Sequence, residues 1–552
     1  MVHKALELGT ATDTAAALSA LERENARLRQ RLIEMNRIGI ALSAEQDIDK
    51  LQDLILTSAR QMTNADAATL YLVETSDEGH RVLRFAWAQN HSVQVPFATF
   101  KMPLVEKSVG GHTVISGQAV RLDDVNELPA DVPFAFNRSF DEQHGYRTRS
   151  MLCVPMRNHG GEIVGAVQLI NAKREFETRL TLDNVDAEVI PFEEDHLELI
   201  QSIASQAAVA LDNKALLDAI RNLFEGFVKA SVTAIESRDP TTYGHSGRVA
   251  ALTVGLAEAT NGVHSGKYAD LHLDGEQLRE LRYAALLHDF GKVGVRERVL
   301  VKEKKLYPAS MELLKQRFAF VQRSLQQKFA ERKLAMARAG RLGEHEIANL
   351  DRELSAELDQ LREWLDAVLT ANEPSVLSED KASMLAFLAE YMYEDIDAQR
   401  RPLLQPEEFH FLSIRKGTLD EVERLEIESH VTHSYRFLIK IPWTPTMNNV
   451  PQIAYGHHEL LDGSGYPRKL QGPEIPVQAR MMTIADVFDA LTATDRPYKP
   501  AVPVEKALEI LRREFEGKID MDLLDVFIAK RVFELAAGYR PDQDLLLTGV
   551  GR

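Results

Sequence analysis

The sequence predicts a multidomain protein in which an N-terminal helix leads into an α+β domain and then into an all-α domain. Three observations carry this. The chain has 552 residues, too many for one hydrophobic core and enough for three or four domains of ordinary size. Between residues 68 and 171, runs rich in β-branched and aromatic residues are separated by polar or Gly-containing turns, the pattern of strands. From about residue 195 onward apolar residues recur at helical spacing almost to the end.

Composition narrows the class. Apolar residues make up 45% of the chain and charged residues 27%, an ordinary globular mixture. There is no run of 18 or more apolar residues, and the start, MVHKALELGT, lacks the basic and apolar regions of a signal peptide. The expectation is a cytoplasmic protein with no membrane span. The net charge of −18 opposes binding to DNA or an anionic membrane, so an anionic substrate needs locally concentrated positive charge. Cys153 is the only cysteine, which excludes an internal disulfide, and its setting, SMLCVPM, reads as a buried strand with an inert thiol.

The first segment, residues 1–38, places Leu18, Leu21, Asn25, Leu28, Leu32 and Met35 at alternating spacings of three and four. That is a heptad seam, and an Asn at an a-like position favours a paired, in-register coiled coil. It predicts either dimerisation or one amphipathic helix packed on the next domain. In residues 39–213, ATLYLVE (68–74), VLRFAWA (82–88), SMLCVPMRN (150–158) and EIVGAVQLIN (162–171) read as strands, with NHGGE (158–162) as a hairpin turn. A helix follows from PFEEDHLELIQ, with Pro191 and three acids where the helix dipole favours them.

This block resembles a GAF domain, a sensor fold with an antiparallel sheet flanked by helices. The resemblance implies a small regulatory ligand, for which Asn171, Lys173, Phe192 and Asp195 are a loose match to the family's Asn-Lys, Phe and acidic pattern; a domain used only for dimerisation is the alternative. The helix leaving it runs on through 195–235 without a Gly, Ser or Pro-rich linker, a continuity that would pass movement to the next domain.

The all-α half carries unusual residues in five places: TTYGHSGRVA (241–250), LLHDFGKVGV (286–295), KGTLDEVERLEIESHVTHS (416–434), HHELLDGSGYP (457–467) and TIADVFDALTATDRPYK (483–499). A lone helical histidine is ordinarily packed or solvated. His288 and Asp289, however, end the apolar run YAALL, where an ionisable pair is costly to bury unless a cation compensates it. Asp486 likewise follows apolar TIA. His457 and His458 diverge by about 100° if helical, so both can ligate only if two ions lie close together or the helix ends there.

Together these segments resemble the HD-GYP family, a branch of the HD phosphohydrolases that hydrolyses cyclic di-GMP, with HDxGKxG and HHExxDGxGYP both complete. The resemblance covers 225–302 and 416–540. It implies metal ligands at His245, His288, Asp289, His430, His457, His458 and Asp486, with Asp289 bridging two ions and His433 in reserve. It implies catalytic roles for His288, Asp289 and Lys292, and substrate contacts from Lys292, Arg496, Lys499, Gly465, Tyr466 and Pro467. Nitrogen and oxygen ligands without thiolate suit non-haem iron or, next, manganese. Thr241 stands where some members carry a Glu for a third metal, so a dinuclear centre is expected. Gly463 and Gly465 allow close backbone approach, and the GYP loop is a possible contact for a diguanylate cyclase.

The main departure is residues 303–415, which separate two motifs that family members join almost directly. Phe318, Val321, Leu325 and Phe329, then Leu354, Leu358, Leu361, Leu365 and Val368, form helical stripes around ARAGRLGEHE, predicting a helical hairpin. The implied activity is a homodimeric, GAF-regulated phosphodiesterase opening cyclic di-GMP to pGpG or GMP. Hydrolysis of another cyclic dinucleotide, such as cyclic GMP-AMP, and a silent nucleotide-binding regulator are the alternatives.

Overall fold

A computed structural model describes the chain except Met1, Gln46, Asp77, residues 95–98, Ala130, residues 239–242, 494–500 and 540–552, and except the side chains of residues 2–17 and of Arg27. It contains two compact units, Met1–Leu223 and Phe224–Arg552.

The first unit is built on one antiparallel sheet. Helices α1 (Val2–Ala44) and α2 (Ile48–Thr63) precede strands β1 (Ala65–Thr75), β2 (Arg81–Asn90) and β3 (Phe100–Pro103). Then come α3 (Val109–Ser116), β4 (Val120–Leu122), α4 (Ser139–His144), β5 (Met151–Arg157), β6 (Ile163–Lys173), α5 (Val185–Glu188), β7 (Val189–Ile190) and α6 (Glu194–Arg238). The strand order is β3-β2-β1-β6-β5-β4, with β7 on the end of β6. Asp47 caps α2 by accepting from the amides of Asp49 and Lys50, and Asn64 ends it in the left-handed region at φ 50°.

Alternation along β5 decides the two faces of the sheet. Leu152, Val154 and Met156 pack with Leu51, Ile55 and Leu56 of α2 and Ile200, Ile203 and Ala207 of α6. Met151 and Cys153 point the other way, to Val109, Val114 and Leu83. Burial pushes the Cys153 thiol up to about 12, in keeping with an inert core residue. The NHGGE turn forms as expected: the Asn158 side chain accepts from the amides of Gly160 and Glu162, and Gly161 takes φ 80°. Strands β3, β4 and β7 escaped the sequence reading because two to four residues are too few to show a period. On α1, Leu18, Leu21, Leu28 and Leu32 are exposed within the single chain.

The second unit is helical. It comprises α7 (His245–Asn261), α8 (Gly275–Leu287), α9 (Glu297–Leu300), α10 (Pro308–Arg338), α11 (Glu344–Ala371), α12 (Glu379–Glu390) and the hairpin β8 (Met392–Glu394) and β9 (Arg400–Pro402). It continues with α13 (Pro406–Leu412), α14 (Glu421–Leu438), α15 (Val450–Tyr455), α16 (Val477–Thr492), α17 (Val504–Glu514), α18 (Met521–Ala529) and α19 (Glu534–Gly538). One core joins Leu252 and Leu256 of α7, Leu281 and Ala285 of α8, Ile453 of α15, Met481 and Phe488 of α16, and Phe527 of α18.

Helices α10 to α13 have a core of their own, with Leu314, Phe318, Val321, Leu361, Val368 and Leu388 buried. Their root is polar and buried. Lys302 Nζ donates to both Glu423 oxygens at 2.8 and 2.7 Å, and the Tyr307 hydroxyl donates to Glu423 at 2.5 Å. Glu423 also closes the capping box of α14 with Asp420, so the first turn of α14 and the entry to the intervening helices share one carboxylate. Among the described residues, no helix is long and apolar enough to cross a membrane.

Candidate metal centre

Five chain segments bring their polar residues to one place, and glycine and capping explain how. Gly244, at φ 69°, starts α7 so that His245 is its first residue. An Asp274–Gln277 capping box starts α8, which ends at His288; Asp289 then leads into a short 3₁₀ turn, Phe290–Gly294. A Cβ on Gly291 would lie 1.8 Å from the His430 carbonyl oxygen, so only glycine lets this turn touch α14. The Gly291 amide donates to Ser434 Oγ at 2.7 Å, fixing the register that brings His430 to Asp289.

Helix α15 stops at Gly456, so His457 and His458 lie beyond its end, with ring centroids 4.0 Å apart. That is the second of the two conditions under which neighbouring histidines can both ligate. The following loop folds back on them. A Cβ on Gly465 would meet the Leu460 amide nitrogen at 2.4 Å, and the Tyr466 amide donates to the His458 carbonyl at 3.1 Å. Tyr466 lays its ring against His458, centroids 4.7 Å apart, and precedes a cis Pro467. Asp462 accepts from the amide and hydroxyl of Ser464, as a turn-capping residue should. Buried Glu459 ties down the returning chain by accepting from the amides of Arg468 and Leu470 at 2.7 and 2.9 Å.

Asp289 sits at the middle. Its Oδ1 is 3.2 Å from His430 Nε2, while its Oδ2 is 3.4 Å from His288 Nε2 and 3.7 Å from His245 Nε2. Asp486, from α16, is divided in the same way: Oδ1 lies 3.3 Å from His245 Nε2 and Oδ2 3.8 Å from His458 Nδ1. The ligand atoms of His245, His288 and Asp486 lie within 4.8 Å of one another, as do those of His430, His457 and His458, and those of His288, Asp289 and His457.

The histidine tautomers are set by the backbone. His288, His430 and His457 each place Nδ1 2.6 Å from the carbonyl three residues earlier, Ala285, Ile427 and Ala454. A carbonyl can only accept, so Nδ1 carries the hydrogen and Nε2 keeps a lone pair. All three Nε2 atoms are buried without a hydrogen-bond partner among the described residues. Burial is the largest cause holding His288 and His457 below the ordinary histidine range, and it holds His458 at about 4. Burial opposes a charge on His245 too, but hydrogen bonds to Asp486 and Asp489 overcome it and push the group up to about 9. Burial works against ionised Asp289, and Lys292 with the histidines outweighs it, keeping the carboxyl far below its usual range. Buried lone pairs converging on ionised carboxylates form a donor set that fits divalent cations with nitrogen and oxygen preference.

The seven residues expected as ligands are therefore brought together. Lys292 Nζ lies 2.7 Å from Asp289 Oδ2, at the edge of the same cluster. His433 is elsewhere: a Cβ on Gly294 would lie 3.0 Å from its ring, so it packs against the 3₁₀ turn. Arg496, Lys499 and Thr241 lie outside the described residues. Sequence reasoning missed Asp489, one turn after Asp486 in TIADVFDAL, and Arg248, which follows His245 by three; that helical spacing was the available signal.

In the first unit a cavity of about 1340 Å³ is lined by Arg60, Tyr71, Phe85, Gln89, Tyr146 and Gln168, among others. None of the four residues matched to a ligand pattern lines it. Asn171 bonds the Arg149 amide, the Arg147 carbonyl and the Tyr146 hydroxyl. Lys173 pairs with Asp66 at 3.1 Å and donates to the carbonyls of Phe176 and Thr178. Phe192 is core, and Asp195 pairs with Arg31 at 2.9 Å. Each of the four is thus engaged in contacts within the domain.

Comparison with known proteins agrees with this division. Residues 47–211 match the family model described as GAF domain, and residues 242–364 and 402–523 match two models described as HD domain. The chain thus carries a GAF domain followed by a helical HD domain, with residues 365–401 of the 303–415 stretch outside both HD matches. A 3'3'-cGAMP-specific phosphodiesterase 3 of Vibrio cholerae is 41% identical over 106 residues, 19% of this chain and 22% of that one. A 3'3'-cGAMP-specific phosphodiesterase 1 of the same organism is 36% identical over 132 residues, 23% of this chain and 30% of that one. A cyclic di-GMP phosphodiesterase of Thermotoga maritima is 33% identical over 132 residues, 24% of this chain and 35% of that one. The chain therefore spans a third or less, to within a few per cent, of the length of these relatives.

Proposed function

We propose that this chain is a metal-dependent phosphodiesterase that opens cyclic di-GMP to pGpG and/or GMP, regulated through its GAF domain. The observation that carries the reading is Asp289, whose two oxygens face two different sets of nitrogen donors. We assign His245, His288 and Asp486 to one ion, His430, His457 and His458 to a second, and Asp289 to the bridge. With no thiolate in the set, iron comes first and manganese next. Two such ions, when bound, supply an ionised water at neutral pH and neutralise charge on a phosphodiester.

The chain's own residues do the rest. Three backbone-locked imidazoles present lone pairs, Lys292 holds Asp289 ionised and adds positive charge for a phosphate, and the Tyr466-Pro467 turn walls the site beside His458. Arg496 and Lys499 are assigned to the substrate phosphates. The exposed leucines of α1 support a homodimer through paired helices, with Asn25 setting register. The GAF cavity is the proposed seat of a regulatory ligand, the GYP loop a contact for a cyclase, and the cytoplasm the compartment.

A second reading, hydrolysis of 3'3'-cGAMP, is favoured by the names of two of the relatives. Incubating purified, iron- or manganese-loaded protein with each cyclic dinucleotide and separating the products decides between them. Absence of hydrolysis in the metal-loaded protein would leave only the silent regulator.

A further inference from the structure

The histidines of the centre are not held alike. His288, His430 and His457 lean on backbone carbonyls of their own segments. His245 is the first residue of α7. Its Nδ1 instead meets a carboxylate, Asp489 Oδ2, at 2.7 Å. Asp489 is 1% exposed, and Arg248 grips it with Nε on Oδ1 at 2.7 Å and Nη2 on Oδ2 at 3.1 Å. Asp486 and Asp489 stand one turn apart on α16, so that a single helix presents one carboxylate to each nitrogen of the His245 ring.

A carboxylate accepting from Nδ1–H raises the basicity of Nε2 more than a neutral carbonyl does, and fixes the ring plane as well. The set around His245 also contains the anionic donor Asp486, whereas His430, His457 and His458 are three neutral imidazoles. Both differences act in the same direction.

We infer that Asp489 is the positioning residue that makes the two halves of the centre unequal. The ion at His245, His288 and Asp486 binds more tightly than the ion at His430, His457 and His458, and the centre fills in that order. The inference rests on the two-ion reading and concerns affinity, not the reaction.

The test uses the full chain loaded with Mn(II), its metal content measured by elemental analysis and release to a chelator followed in time. The wild type releases its ions in two phases, and His430→Ala removes the faster one. In Asp489→Asn the slow phase accelerates by about 10- to 100-fold, the usual effect of losing such a supporting contact, while the fast phase keeps its rate. Arg248→Gln, which leaves the carboxylate in place, shifts the same phase less and serves if Asp489→Asn does not fold. Single-phase release from the wild type, or equal acceleration of both phases in either variant at an unchanged melting temperature, overturns the inference. Two-phase release without phosphodiesterase activity would sink the proposed function and leave this inference standing; activity with single-phase release would do the reverse.

Discussion

Two buried polar clusters of this molecule look alike in sequence and differ in one physical respect. In the GAF domain, Asp66 accepts from Ser92 Oγ at 2.7 Å and Tyr146 Oη at 2.8 Å, and its remaining partner, Lys173, is satisfied by two carbonyls. In the HD domain, three histidine Nε2 atoms are equally buried and have no hydrogen-bond partner among the described residues. Both clusters lie beside largely apolar stretches, IVGAVQLI before Asn171 and Lys173 and YAALL before His288. A closed network holds a fold together; an open one, with lone pairs converging on carboxylates, is arranged for something the chain does not itself supply.

That contrast can be broken by exchange of effects. Asp289→Asn should cost the most on the functional side, removing the bridging charge: metal content falls and phosphodiesterase activity drops by about 10³-fold. Lys173→Met should do the opposite. It leaves Asp66 buried without its counter-charge, lowering the stability of the GAF domain by about 3–5 kcal/mol in denaturant titration with metal content unchanged.

Gly291→Ala tests the approach of the HD turn to α14. With a methyl 1.8 Å from a carbonyl oxygen, the helix must shift, costing about 1–3 kcal/mol and lowering occupancy of the ion assigned to His430. Equal metal content in this variant would show that the turn's position does not matter.

The smallest effect is a pH dependence of the metal-stripped protein. Burial holds His458 at about 4, below the ordinary 6.5, so the unfolded chain takes up a proton first as pH falls. The stability tied to this group is complete above 6.5 and is lost on acidification toward 4. His245 acts in the other direction: raised to about 9, it contributes stability below 6.5 that disappears as pH rises through 9. Thermal melts of the stripped protein should therefore decline at both ends, and metal loading should flatten the acid limb at pH values where the ions stay bound.

What sequence could and could not reveal follows the same division. The four long strands were legible because ten or so residues of β-branched and apolar character declare a period, and the histidine set because several costly residues recur beside apolar runs. The loose ligand pattern falls on residues that are engaged within the domain. Nothing in NAK distinguishes a lysine that faces a cavity from one whose ammonium is met by the carbonyls of Phe176 and Thr178 on the next loop. Asp489 was missed for a related reason: its partner Nδ1 belongs to a residue 244 positions away in the chain. Local spacing suggests a helical face, and only folding says what that face meets.

The root of the intervening helices on Glu423 bears on how this protein is made. His245 and His288 are synthesised first, and His430 only after the whole of 303–415 has emerged; α14 is then seated by Lys302 and Tyr307. A nascent chain therefore holds half a ligand set until that segment has found its place. An ion that draws on both halves of the set would enter only a chain whose intervening segment is already in place.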